Sequence, residues 1–236
     1  MYYRRRLRAI VAHVGDFNRY QGDKMKLTIF GASGGTGKQL VALALARGHD
    51  VVAFVRNPSK LGIANQHLRI DTGELTDKET VDKAIAGSDA VLSALGPRMA
   101  GGPKNSPITS GIRNILAAMK VHTIRRLVIS WGPSIPSPLD KLTFALKALQ
   151  SLLKVMANSA LNESAGVNPA LQSSDRDWTI VRVFAPNNSP KTGNVRIGFL
   201  GKGEVGMKIS RADLAEFMLD QIQDTKYLRK APVISN

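Results

Sequence analysis

A short apolar run, Leu27-Thr28-Ile29-Phe30, leads straight into Gly31-Ala32-Ser33-Gly34-Gly35-Thr36-Gly37-Lys38. Glycines 31, 34 and 37 fall at the spacing G-x-x-G-x-x-G, between a predicted strand and a predicted helix over about residues 36–47. In that setting the first glycine turns the chain tightly, the second lets backbone approach a pyrophosphate, and the third lets helix and strand pack closely. The helix then offers uncommitted N–H groups and the positive end of its dipole to phosphate oxygens. A chain that starts this way is held to a βαβ unit with parallel strands. Ser33, Gly35 and Thr36 complete a candidate phosphate-binding set with Gly31, Gly34 and Gly37. The run is not the phosphate loop of NTPases, which needs Gly six residues before the Lys and Ser or Thr after it; Ala32 and Gln39 occupy those positions.

The rest of the chain continues the alternation. Strands are predicted at 51–55, 68–70, 90–95 and 126–130, with helices at 77–86 and 107–120 between the later ones. Thr76 is expected to cap the first of these helices, with Glu79 completing a capping box. This order predicts a doubly wound parallel sheet with helices on both faces, an α/β Rossmann fold in a single domain. Past Gly132, prolines 133, 136 and 138 keep their loop from being helix or central strand. Leu142, Leu146, Leu149, Leu153 and Met156 recur at helical spacing, and Asn168-Pro169 is expected to open a further short helix. A sixth strand at 178–184, a hairpin arm at 195–199 and a late helix at 213–223 complete the reading. The domain is expected to run from 26 to 236, behind a basic extension over 1–25.

Charge narrows the partners. Lys and Arg number 33 against 18 Asp and Glu, a formal charge of +15, which implies an anionic ligand or surface. Residues 1–24 carry +4 of this and lack an apolar core, so they are not a secretory signal. They read as an extension ahead of a start at Met25, with a basic arm or targeting role as the alternative. The absence of cysteine excludes thiol catalysis, cysteine zinc sites and disulfides. No apolar run approaches membrane-spanning length, so a soluble cytoplasmic protein is expected. Nothing beyond charge supports nucleic-acid binding, and the four histidines lack ligand spacing, so no metal site is expected.

The end of the second strand selects the cofactor. An NAD site places Asp or Glu there for the ribose hydroxyls; this chain has Arg56, with Lys60 close behind, and Asp50 stands at the wrong end. A guanidinium can fork onto a 2′-phosphate and stack on adenine. NADP(H) is therefore the expected cofactor.

Further motifs carry a family likeness: Gly87-Ser88-Asp89-Ala90-Val91 leading to Leu95-Gly96-Pro97-Arg98, the run 111–120, Asp177-Trp178-Thr179-Ile180-Val181-Arg182, and Ile209-Ser210-Arg211-Ala212-Asp213-Leu214-Ala215. With the glycine turn and Val55-Arg56, these make the chain resemble the atypical short-chain dehydrogenases/reductases with NmrA-like NAD(P)H-binding domains. Among them it is most similar to the biliverdin-IXβ and flavin reductases. The resemblance implies that Arg56 holds the 2′-phosphate, that Asp71 lies beside the adenine, and that Leu95, Gly96 and Pro97 line the path toward the nicotinamide. It also implies that Pro186 and Asn187 border the substrate. Arg98 is a further candidate for cofactor or flavin phosphate.

Ordinary members of the wider superfamily use Tyr-x-x-x-Lys, in which the Lys lowers the Tyr pKa. The one pair at this spacing, Tyr20 and Lys24, precedes the first strand. The resemblance offers Ser130, at the end of strand five, as the catalytic group instead, although the family's own serine aligns with Gly132; Ser134 is a second hydroxyl nearby. Flavin reduction tolerates this departure, because hydride can pass directly between flat rings and solvent can supply the proton. The expected function is an NADPH-dependent reductase of a flavin, linear tetrapyrrole or quinone, with FMN or FAD as substrate and not prosthetic group. The alternative is a non-catalytic NADP(H) sensor acting through a protein partner. A monomer binding a small-molecule acceptor is expected.

Overall fold

The computed structural model describes residues 23–96, 107–141 and 158–236. The first half builds β1 (Lys26–Phe30), α1 (Gly35–Ala46), β2 (Asp50–Val55), a 3-10 turn (Pro58–Lys60), β3 (Leu68–Thr72), α2 (Lys78–Ile85), β4 (Ala90–Ser93), α3 (Pro107–Val121) and β5 (Arg126–Trp131). The second half adds α4 (Asn158–Ser173), β6 (Asp177–Arg182), β7 (Ala185–Asn187), β8 (Arg196–Gly198), β9 (Lys208–Ser210), α5 (Arg211–Asp220) and β10 (Val233–Ser235).

Eight strands form one sheet in the order β3-β2-β1-β4-β5-β6-β10-β8, parallel except for β8, and β7 pairs with β9 in a separate parallel ribbon. The expected Rossmann fold is therefore present. Strand alternation divides the core. Leu27 and Ile29 face α1 and α5 through Leu40, Val41, Ala44, Leu214 and Met218. Phe30 faces α2, α3 and α4 through Val81, Ile112, Ile115, Val167 and Leu171. Each fully buried aliphatic or aromatic side chain of this kind stabilises the fold by about 1.5–3 kcal/mol. Both faces of the sheet are thus covered, as a parallel sheet requires.

Three expectations are corrected. Asp77, not Thr76, caps α2: its Oδ1 accepts from Glu79 N at 3.0 Å and Thr80 N at 3.3 Å. A short carboxylate serves two orphan N–H groups at the positive helix end better than a hydroxyl one residue earlier. Glu79 is left to pair with Lys83 four residues on, at 2.7 Å. Pro169 lies inside α4 and does not open a helix. Val167 and Leu171 flank it at helical spacing and are fully buried, so packing outweighs the backbone hydrogen bond that proline removes. The 195–199 arm forms no local hairpin; its strand β8 pairs antiparallel with the distant β10. The apolar stripe over 142–156 lies outside the described residues, as do Pro97, Arg98 and Tyr20.

Candidate functional site

The strand order reverses between β1 and β4, and open α/β sheets bind ligands in the crevice at such a point. Gly31 leaves β1 there with φ +72°, and a Cβ on it would stand 2.8 Å from the Ala94 carbonyl carbon. Conformation and space both demand glycine. Gly37 is demanded by space alone, since a Cβ would overlap the Gly31 carbonyl oxygen and lie 2.7 Å from Ala32 Cα. Gly34 N donates to Gly31 O at 3.0 Å and Lys38 N to Gly34 O at 2.9 Å, which closes the turn into the helix. Gly34 and Gly35 are exposed, while Ser33 and Thr36 are half-buried at the rim.

The start of α1 differs from the other helix starts with a defined cap. Asp77 caps α2 and Ser210 caps α5 with side-chain oxygens, whereas the cap of α1 is Gly34, with no side-chain acceptor and no acid in the first turn. No side chain caps its orphan N–H groups. A pyrophosphate fits this cradle in charge and in the close backbone approach that its glycines allow.

Beside it, Arg56 follows the carboxyl end of β2 and Lys60 stands on the 3-10 turn, which Asn57 caps by accepting from Ser59 N at 3.0 Å. Both residues are exposed, and neither side chain makes a hydrogen bond or ion pair with a described residue. Asp71 lies within β3, not after it, and accepts from Arg69 Nη2 at 2.8 Å. Lys24 bonds Asp50 at 2.8 Å, at the amino ends of the strands, away from the glycine turn.

On the far side of the crevice, Leu95 is half-buried against the α2–α3 core and Gly96 is exposed with open space around it. Pro186 and Asn187 lie on β7, paired with Ile209 and Ser210 of β9. Ser130 is half-buried near the end of β5, and strand alternation turns it to the α1–α5 face with Val128. Ser134 is on the opposite face. Its hydroxyl is 2.6 Å from Ser164 Oγ, which also accepts from Trp131 Nε1 at 2.8 Å. The two serines are therefore not brought together. Ser164 was not singled out in the sequence, because nothing local marks it.

The structure adds two further residues beside the cradle. Arg211 packs against Gly35, and Asp213 ties the surrounding loops together while fully buried. Burial pushes the Asp213 carboxyl up, but bonds from Ser210 Oγ, Thr192 N and Gly193 N outweigh it and hold the pKa below the ordinary range. A depressed carboxylate contributes stability that is complete above the unfolded pKa and is lost as pH falls through the folded one. Urea unfolding from about pH 6 to about pH 3 should therefore show wild-type stability falling more steeply than that of Asp213→Asn. Parallel curves would remove Asp213 from the acid response.

Among the described residues no helix is long and apolar enough to cross a membrane, and no three His, Asp or Glu side chains converge as metal ligands. Comparison with known proteins agrees with the geometry. An uncharacterised protein of Bacillus subtilis, YwnB, is 28% identical over 211 residues, covering 86% of this chain and 94% of its own. A short-chain dehydrogenase/reductase from Veillonella parvula, solved in complex with NADP, shares the fold with TM-score 0.69 at 17% identity, covering 91% of this chain and 95% of its own. The anaerobilin reductase ChuY of Escherichia coli O157:H7 does so with TM-score 0.67 at 20% identity, covering 89% and 96%. The pattern of one family matches residues 31–225, from the first glycine of the cradle to beyond α5, and by it the chain belongs to the NAD(P)H-binding family.

Proposed function

We propose that the protein is an NADPH-preferring reductase that delivers hydride to a flat conjugated acceptor: a flavin such as FMN, or a linear tetrapyrrole or quinone. The observation that carries this reading is the pairing of an uncapped, acid-free α1 N-terminus with Arg56, an exposed cation free of described partners, at the neighbouring strand end. The NADP complex of the Veillonella protein and the anaerobilin reductase of E. coli support it. So does the likeness to the biliverdin-IXβ and flavin reductases. The bound nicotinamide would supply the hydride. The chain's own part is to hold and orient: N–H groups of α1 and the hydroxyls of Ser33 and Thr36 at the pyrophosphate, Arg56 and Lys60 at the 2′-phosphate, and Asp71 at the adenine. Leu95 and Gly96 flank the nicotinamide, with Pro97 and Arg98 following them in the chain. Pro186 and Asn187 border the acceptor. Ser130 is the proposed hydroxyl donor to the acceptor's polar edge. Proximity and stacking supply most of the rate. The protein acts as a cytoplasmic monomer on a small molecule.

Purified protein with NADPH, with and without FMN, followed at the nicotinamide absorbance, tests this. FMN-dependent oxidation supports the reductase. Tight binding without turnover across flavin, tetrapyrrole and quinone favours a non-catalytic NADP(H) sensor. Replacing Arg56 with Asp should weaken NADPH by about 1.5–3 kcal/mol, the scale of a lost charged hydrogen bond, while leaving NADH binding in place. Equal NADPH affinity in both proteins would refute the role of Arg56.

A further inference from the structure

Arg211 is the first residue of α5, yet its side chain lies across the start of α1. A Cβ on Gly35 would stand 2.6 Å from Arg211 Nε and 2.8 Å from its Cδ, so the guanidinium lies directly over this glycine. By itself this placement is unfavourable. A helix N-terminus carries partial positive charge, and a cation beside it is repelled. Arg211 opens α5, whose own first turn carries Asp213, but its side chain rests on the first residue of α1. No acid in the first turn of α1 offsets it.

Nor does a carboxylate elsewhere answer the charge. Arg211 Nη1 donates to the neutral Oδ1 of Asn188 at 2.7 Å, and its remaining N–H donors meet no described acceptor. Asp213, the acid nearest in the chain, directs its oxygens to Ser210, Thr192, Gly193 and Asn236. Positive charge is therefore gathered from a guanidinium and a helix end around an open glycine turn, with Asn188 holding the fork in place. Such an arrangement is relaxed by an anion with oxygens on two sides.

We propose that Arg211 is a clamp on the pyrophosphate of the dinucleotide, closing on it from beside the α1 N–H groups, with Asn188 as its positioning residue. This rests on the dinucleotide reading of the site and adds a residue to it. The clamp differs from Arg56 in one testable respect: the pyrophosphate is common to NADPH and NADH, whereas the 2′-phosphate is not.

The experiment titrates NADPH and NADH separately into full-length wild-type protein, Arg211→Gln, Arg211→Lys and Arg56→Asp, with thermal unfolding as a check on folding. Arg211→Gln should raise the dissociation constants of both cofactors by a similar factor of about tenfold or more, while Arg56→Asp raises that of NADPH alone. A folded Arg211→Gln protein with unchanged affinities overturns the clamp, as does a loss confined to NADPH. Should Arg211→Gln not fold, Arg211→Lys keeps the charge without the fork. A shared loss of about threefold or more then supports the clamp, and wild-type affinity for both cofactors overturns it. Wild-type protein that binds neither cofactor overturns the dinucleotide reading itself, which separates the two failures.

Discussion

Replacing Arg182 with methionine is expected to cost the fold about 3–5 kcal/mol, because it strips the partner from a buried carboxylate. Arg182 is wholly buried at the end of β6, and the Asp140 side chain is 5% exposed. The guanidinium meets both carboxylate oxygens, at 2.7 and 2.8 Å, and donates to the Ala231 and Ile135 carbonyls at 2.7 and 3.0 Å. Asp140 in turn accepts from Leu200 N and Ser137 N, so one charge pair ties the loop after β5 to β6 and to the segment before β10. Without Arg182 the carboxylate keeps two backbone donors but has no countercharge in a low-dielectric interior. The thermal unfolding midpoint should fall by about 6–20 °C for a chain of this size. The double variant Arg182→Met, Asp140→Leu should recover much of the loss, since apolar residues of similar volume can replace a buried pair. A single variant that loses under about 1 kcal/mol would show that the pair contributes little to the fold.

Local chemistry made much of the scaffold legible and left the ties across it hidden. The glycine turn announced itself because its three glycines, the apolar strand before them and the start of the helix lie within a dozen residues. The central strands β1, β2, β4, β5 and β6 were readable as apolar runs, since a parallel sheet buried on both faces demands them, whereas β3 stands at the edge with a largely exposed pattern. What escaped depends on contacts between distant segments. Asp140 and Arg182 look like a loop acid and a strand-end base until the fold buries them together. Arg211 stands in a recognisable motif, but only the packing of α5 beside α1 brings it onto Gly35. Pro169 carried a valid helix-start signal, and the burial of Val167 and Leu171 overrode it. The strands β7, β9 and β10 have three residues each, too few for a period-2 pattern to stand out. The exposure of Arg56 and Lys60 at a strand end was legible because neither side chain has a structural partner among the described residues.

The sharpest test of the cradle is Gly37→Ala, which should abolish useful binding of either cofactor while leaving most of the molecule folded. The backbone at Gly37 is helical and needs no special φ; the obstacle is the methyl group itself. It would overlap the Gly31 carbonyl oxygen and crowd Ala32 Cα, and both are backbone atoms that cannot rotate away. Relief requires α1 to move off β1, or the turn from Gly31 to Gly34 to be pushed into the crevice. Overpacking of this kind costs about 1–3 kcal/mol of stability. Binding should suffer more, because the N–H groups of α1 and the carbonyl that accepts from Gly34 N are displaced together. A shift of about 1 Å in such a preset array can cost about a hundredfold, so the dissociation constants for NADPH and NADH should both rise by about that factor. Gly34→Ala is the control: a Cβ there lies 3.2 Å from the Gly31 oxygen, a contact that small adjustment relieves. Its protein should stay as stable as wild type and lose affinity only where the methyl meets the ligand. If Gly37→Ala binds both cofactors as wild type does, close packing at this glycine is not what shapes the site.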